Sequence, residues 1–217
     1  MFAAEPLNKY YLMGFSEAHT PKSTRTARYE VRGTRRVLVV MGVAGTGKTT
    51  VGRLLADALG VPYVEGDAFH PAANVAKMSA GIPLDDDDRR PWLDAIGAWI
   101  RARPAGEGAV VASSALKRAY RDRLRGAAPD AVFVHLTGER PLIERRMAAR
   151  TGHFMPAALL DSQFATLEPL QQDELGVVVD VSGPPEEIAD RALASLSALP
   201  GGRPDAAPSR ESRGTPT

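Results

Sequence analysis

Gly42-Val43-Ala44-Gly45-Thr46-Gly47-Lys48-Thr49 sets three glycines, a lysine and a hydroxyl at the spacing G-x-x-x-x-G-K-[ST]. Glycines let the backbone turn without Cβ clashes. Successive N–H groups then face inward and, with the N-terminus of a following helix, form a nest for phosphate oxygens. Lys48 reaches the β and γ phosphates of a nucleotide, Thr49 offers its hydroxyl to Mg²⁺, and Thr50 follows in the same helix start. A glycine-rich turn is the bland reading. At average composition the four fixed positions arise by chance in about one chain in a hundred, and an apolar strand and an amphipathic helix flank them. Two carboxylates, Glu65 and Asp67, stand within reach in sequence.

The elements that must position these groups follow from hydrophobic periodicity. Val37-Leu38-Val39-Val40-Met41 is a buried strand running into the loop, and Val51, Leu54, Leu55, Ala58 and Leu59 mark one face of a helix that Gly60 ends. Val61 to Val64 reads as a second strand that delivers Glu65-Gly66-Asp67 to its C-terminal end, the edge where open α/β sheets bind ligands. Residues 68–91 read as a short helix and a loop, with the run Asp85 to Asp88 preceding a helix striped by Trp92, Leu93, Ile96, Trp99 and Ile100. Ala109 to Ala112, Ala131 to Leu136 and Val177 to Val181 are further strands, separated by helices. On the helix from Lys117 to Arg125, the residues Lys117, Arg121 and Arg125 share a face that reads as solvated, and His135 inside a strand reads as structural. Strands alternating with helices predict a doubly wound α/β domain with a five-stranded parallel sheet and right-handed crossovers.

Residues 1–35 lack periodicity and residues 200–217 contain no Val, Ile, Leu, Met or aromatic residue. They read as a disordered leader and tail around one domain at 36–199, with Met1 or Met13 as the start. The chain has 27 Lys and Arg against 26 Asp and Glu, a net charge of +1 that gives no whole-protein attraction to nucleic acid or membrane. With no cysteine there are neither disulfides nor thiolate metal sites, which fits the cytoplasm. No apolar run approaches membrane-spanning length.

A phosphate loop alone spans kinases, GTPases and motor ATPases. The chain has no N-K-x-D base-reading motif, and its third strand ends in Ser113-Ser114 where a motor ATPase carries Asp or Asp-Glu. A small kinase remains, with the Arg145 to His153 region as an arginine-rich flap. Several segments then resemble the gluconate kinase family: Gly66-Asp67-Ala68-Phe69-His70-Pro71, Asn74, Lys77-Met78, Gly81 to Leu93, Ser114-Ala115-Leu116-Lys117, Tyr120-Arg121-Asp122 and Arg150-Thr151-Gly152-His153-Phe154-Met155. The resemblance runs from about Val37 to Leu196. Glu65 stands where it suggests Asp, and Ser113 where Cys is common.

The resemblance implies a P-loop NTPase fold shared with shikimate and adenylate kinases, with a lid segment. It further implies ATP- and Mg²⁺-dependent phosphorylation of D-gluconate to 6-phosphogluconate, commonly by a homodimer. On that footing Asp67 is the candidate base for the 6-hydroxyl, with a strand-end helix cap as its alternative, and Glu65 is an outer-shell Mg²⁺ partner. Arg89 is the candidate for the gluconate carboxylate; otherwise it pairs with Asp85 or Asp86 at the helix start. His70 binds a sugar hydroxyl or is a turn residue bonded to backbone. Arg146 and Arg150 serve the nucleotide, one against adenine and one on the transferring phosphate, or else form a solvated basic face. Two rivals stand beside this reading: a kinase of the same fold for another small hydroxy acid such as a shikimate-like compound, and a nucleotide-binding regulator without transfer.

Overall fold

The computed structural model describes residues 36–104, 106–149 and 157–199. The expected leader and tail lie outside them, as does the segment 150–156. Five strands, β1 (Val37–Met41), β2 (Tyr63–Glu65), β3 (Ala109–Ala112), β4 (Val132–Thr137) and β5 (Gly176–Asp180), form one parallel sheet in the order β2-β3-β1-β4-β5. The helices are α1 (Lys48–Leu59), α2 (Ala72–Ser79), α3 (Asp86–Arg101), α4 (Arg118–Ala127), α5 (Arg140–Ala148), α6 (Ala157–Thr166) and α7 (Pro185–Ser197), with a 3₁₀ turn at Gly66–Phe69.

β1 and β4 read as nearly continuous apolar runs because both faces of the sheet are covered. Leu38 and Val40 of β1 and Val132 and Val134 of β4 point to the α1 and α7 side, against Val51, Leu55, Ile188 and Leu193. Val37, Val39, Met41 and Phe133 point the other way, against Trp92, Leu93 and Ile96 of α3 and Leu124 of α4. β2 starts later than the sequence implied, because Pro62 has no N–H to give the ladder and offers only its carbonyl, to Val110 N at 2.8 Å. Glu65 is therefore the last residue of β2, level with Ala112 of β3.

Two expectations are corrected by the structure. The aspartates do not precede α3 but begin it: Asp85 is the N-cap, its Oδ1 accepting from Asp88 N at 2.8 Å while Asp88 Oδ2 accepts from Asp85 N at 3.1 Å. This reciprocal box, with Asp86, Asp87 and Asp88 in the first turn, favours an earlier start than the apolar stripe alone marks, and Pro91 falls inside the helix. The second correction concerns α4. Arg121, expected on a solvated face, is 0 % exposed, between the buried Tyr120 and Leu124. Lys117 and Arg125 do stay at the surface, on Asp86 and Asp122. His135 is buried without a partner for Nε2, and burial, with Arg121 nearby, lowers its pKa, so it is a neutral structural histidine.

Candidate active site

The sheet's C-terminal edge carries the chemistry. β1 ends at Met41 and the chain turns through 42–47 before α1 begins at Lys48. Two glycines are required by close approach. A Cβ on Gly42, at φ +136°, would stand 2.4 Å from Leu136 O; one on Gly45, at φ +82°, would meet Met147 Cγ at 2.7 Å and Ile143 Cγ2 at 3.0 Å. Thr46 is fully buried and donates to Val43 O at 2.9 Å, bracing the loop from within. Lys48 Nζ donates to Gly42 O and Val43 O, both at 2.9 Å, so its ammonium already lies over the loop.

Thr49, on the first turn of α1, donates to Glu65 Oε2 at 3.0 Å, and Tyr63 donates to the same oxygen at 2.6 Å. Among the described residues no group of three or more His, Cys, Asp or Glu is set to hold a metal. One hydroxyl beside one carboxylate nevertheless fits Mg²⁺, which takes few protein donors when phosphates and water complete its octahedron. Burial, and secondarily Glu65, raises the Tyr63 pKa far above its usual value, so Tyr63 stays a neutral donor.

Asp67 follows Glu65 by two residues, in the 3₁₀ turn after β2. The protein around it pushes its carboxyl upward while Lys48 pulls it down, and 65 % of its side chain remains open to solvent. Asp67 is thus open to solvent and lies within the field of the loop lysine. His70 lies beside it, Nε2 at 4.0 Å from Asp67 Oδ1, its ring stacked on Trp92 at 4.3 Å between centroids. Assigning the Asn74 amide, 3.3 Å away, as donor to Nδ1 puts the imidazole proton on Nε2, toward Asp67. Burial, then Arg89, lowers the His70 pKa to about 4. Trp92 also donates its indole N–H to Gly66 O at 2.7 Å, tying α3 to this turn.

Arg89 completes the wall. Its Nη1 donates to Leu84 O and, at 3.2 Å, to Asp85 O, and its guanidinium lies 5.7 Å from the Tyr120 ring centre. It organises the helix start through carbonyls, while Asp86 is held by Lys117 at 2.8 Å and by Tyr120. Nε and Nη2 of Arg89 make no bond to any described residue. On the other flank of the loop, Arg146 donates to Val181 O at 2.7 Å and Gly183 O at 3.0 Å. It lines a cavity of about 280 Å³ with Gly45, Thr46, Gly47, Thr50 and Pro185. Arg150 lies outside the described residues.

Three contributors were not legible in the sequence. Gln163 of α6 accepts the Ala44 N–H at 2.7 Å, and Leu160 of the same helix packs with Val43, so α6 rests on the loop. Arg121 forms a fully enclosed bidentate pair with Glu174, at 2.6 and 2.8 Å, and also donates to the carbonyls of Ala115, Leu116, Glu168 and Pro169. Ala115 has φ +41°, unusual for a residue with a Cβ, in the turn whose Ser114 O accepts from Gly42 N at 3.2 Å. Partners separated by 53 and 119 residues leave no local pattern. A fourth contributor, Tyr63, did carry a readable sign, since residues two apart on a strand share a face and Tyr63 precedes Glu65 by two.

A parallel α/β sheet with a complete phosphate loop at its switch point and a facing wall of Asp, His and Arg defines a P-loop small-molecule kinase. A family model described as "AAA domain" matches residues 37–170. Gluconokinase from Gluconobacter oxydans (strain 621H) is 54 % identical over 149 residues, covering 68 % of this chain and 83 % of the relative. The solved structure of a gluconokinase from Sinorhizobium meliloti 1021 superposes with TM-score 0.71 at 51 % identity, over 76 % of this chain and 94 % of that one. Shikimate kinase from Aquifex aeolicus, at TM-score 0.50 and 17 % identity over 74 % of this chain and 95 % of its own, shares the fold alone. The chain belongs to the gluconokinase family.

Proposed function

We propose that this protein transfers the γ-phosphoryl group of ATP to the 6-hydroxyl of D-gluconate, giving 6-phospho-D-gluconate and ADP. The observation that carries the reading is the meeting of Lys48 and Asp67 at one sheet edge, in a chain whose gluconokinase relatives span most of its folded length. Phosphoryl transfer asks a protein mainly for alignment and charge neutralisation. The amides of Gly45 to Thr49 hold the phosphates, and Lys48 turns from its loop carbonyls toward the β and γ oxygens. Thr49 and Glu65 would hold Mg²⁺, the carboxylate through a bound water; when bound, the ion neutralises charge on the phosphates. Arg146 supports the nucleoside from its anchorage on Val181 and Gly183.

Asp67 accepts the 6-hydroxyl proton as that oxygen bonds to the γ-phosphorus and the bond to the bridging oxygen of ADP breaks. His70 hydrogen-bonds a sugar hydroxyl through Nε2–H, and the open edge of Arg89 receives the gluconate carboxylate as a bidentate pair. Arg150 stabilises the transferring phosphate. The domain at 36–199 works in the cytoplasm, as a homodimer whose mass light scattering would give.

The test is ADP release with Mg²⁺ and ATP across gluconate, other aldonic acids, shikimate and nucleoside monophosphates. Release with gluconate alone is expected. Release with another member would move the substrate, and silence with ATP still bound would favour a regulator.

A further inference from the structure

Glu65 presents a physical problem that an aspartate there would not. Its side chain has one more rotatable bond, and a carboxylate meant to hold a metal-bound water must be fixed in place. The structure supplies the restraint. Tyr63 and Glu65 lie on the same face of β2, and the Tyr63 hydroxyl donates to Glu65 Oε2 at 2.6 Å, the same oxygen that Thr49 bonds at 3.0 Å. Oε1 accepts no bond from any described residue. The tyrosine is itself immobilised. Gly52 of α1 leaves room for the ring, since a Cβ there would stand 2.8 Å from Tyr63 Cε2, and the Arg53 guanidinium lies 5.5 Å from the ring centre.

We propose that Tyr63 is a positioning residue for Glu65: its hydroxyl fixes Oε2 beside Thr49, so that Oε1 is presented to a water of the bound Mg²⁺. Thr49 can keep its proton on Oε2 while its lone pair faces the metal, an arrangement that needs the carboxylate held from a second direction. Tyr63 provides that second direction without touching substrate. The proposal rests on the reading of Thr49 and Glu65 as the metal edge of the site.

The experiment measures how much Mg²⁺ tightens ADP binding, using a fluorescent ADP analogue with the full chain in EDTA and in saturating Mg²⁺. Tyr63→Phe keeps the ring against Gly52 and removes only the hydroxyl. It is expected to bind ADP as the parent does in EDTA and to lose about five- to tenfold of the Mg²⁺-linked tightening, the size of one typical net hydrogen bond. In a Glu65→Asp background, whose shorter carboxylate falls short of the hydroxyl, Tyr63→Phe should change nothing further. Equal losses in EDTA and Mg²⁺, no loss at all, or the same loss in the Glu65→Asp background would each overturn the assignment. Glu65→Gln separates the two levels. If it leaves the Mg²⁺-linked tightening intact, the metal-edge reading falls and the proposal with it; if it abolishes the tightening while Tyr63→Phe does not, only the role of Tyr63 falls.

Discussion

Arg121→Met should be among the most destabilising single substitutions in the folded domain. The side chains of Arg121 and Glu174 are both 0 % exposed, and their two hydrogen bonds at 2.6 and 2.8 Å are what allows a carboxylate to exist there. Burial pushes the Glu174 carboxyl upward, yet Arg121 and the Gln171 N–H hold it below its usual value. Its contribution is thus complete above the ordinary glutamate range and fades as pH falls through the lowered value. Removing the arginine leaves the buried carboxylate only the Gln171 N–H at 2.9 Å and Arg118 at 3.8 Å, which costs up to about 3–5 kcal/mol, before counting four carbonyls that lose a donor. For a domain of this size about 4 kcal/mol corresponds to a fall in Tm of about 10 °C. Calorimetry at pH 7 reads this directly. Arg121→Met with Glu174→Leu should recover part of the loss, because an apolar pair leaves no buried charge. A single variant melting within about 2 °C of the parent would refute the argument that Arg121 is what compensates the buried Glu174 carboxylate. Well below Tm the single variant should also need more ATP, since Arg121 holds the turn whose Ser114 receives Gly42 N.

Asp67→Asn should lower kcat by about 10²- to 10⁴-fold, the usual worth of a general base, with ADP affinity unchanged; parent-like turnover would remove Asp67 from proton transfer. Arg89→Ala should raise the gluconate KM about tenfold or more and leave that for ATP alone, and an unaltered gluconate KM would take it out of the carboxylate site. His70 has a folded pKa of about 4, below the unfolded value, so its contribution to stability is full above about pH 6.5 and declines toward pH 4, at up to about 1.4 kcal/mol per unit. Urea unfolding between those limits should therefore be flatter with pH in His70→Gln, and parallel profiles would sink the idea. Gly45→Ala places a Cβ 2.7 Å from Met147 Cγ and should abolish ATP binding; the double variant with Met147→Ala recovers none of it if positive φ rather than crowding dominates.

By itself the sequence determined the phosphate loop, the strand that feeds it and the alternation of strands and helices, because these are local: spacing, periodicity of two or of 3.6, and glycine at special turns. β1 and β3 form where their apolar runs lie, and Glu65 and Asp67 arrive at the sheet edge because a short strand leads into them. Where two local rules competed, the boundary moved, as when the Asp85 and Asp88 box drew the start of α3 ahead of its apolar stripe. What only the tertiary structure decided is which distant residues meet. Arg121 reads as a solvated charge from its own helix, and becomes a fully enclosed cation only because Glu174, 53 residues on, is folded against it. Gln163 on Ala44, His70 on Trp92 and Arg89 on the carbonyls of Leu84 and Asp85 follow the same rule. A charged or amide side chain takes its role from the partner that desolvates it, and that partner is set by packing rather than by spacing along the chain.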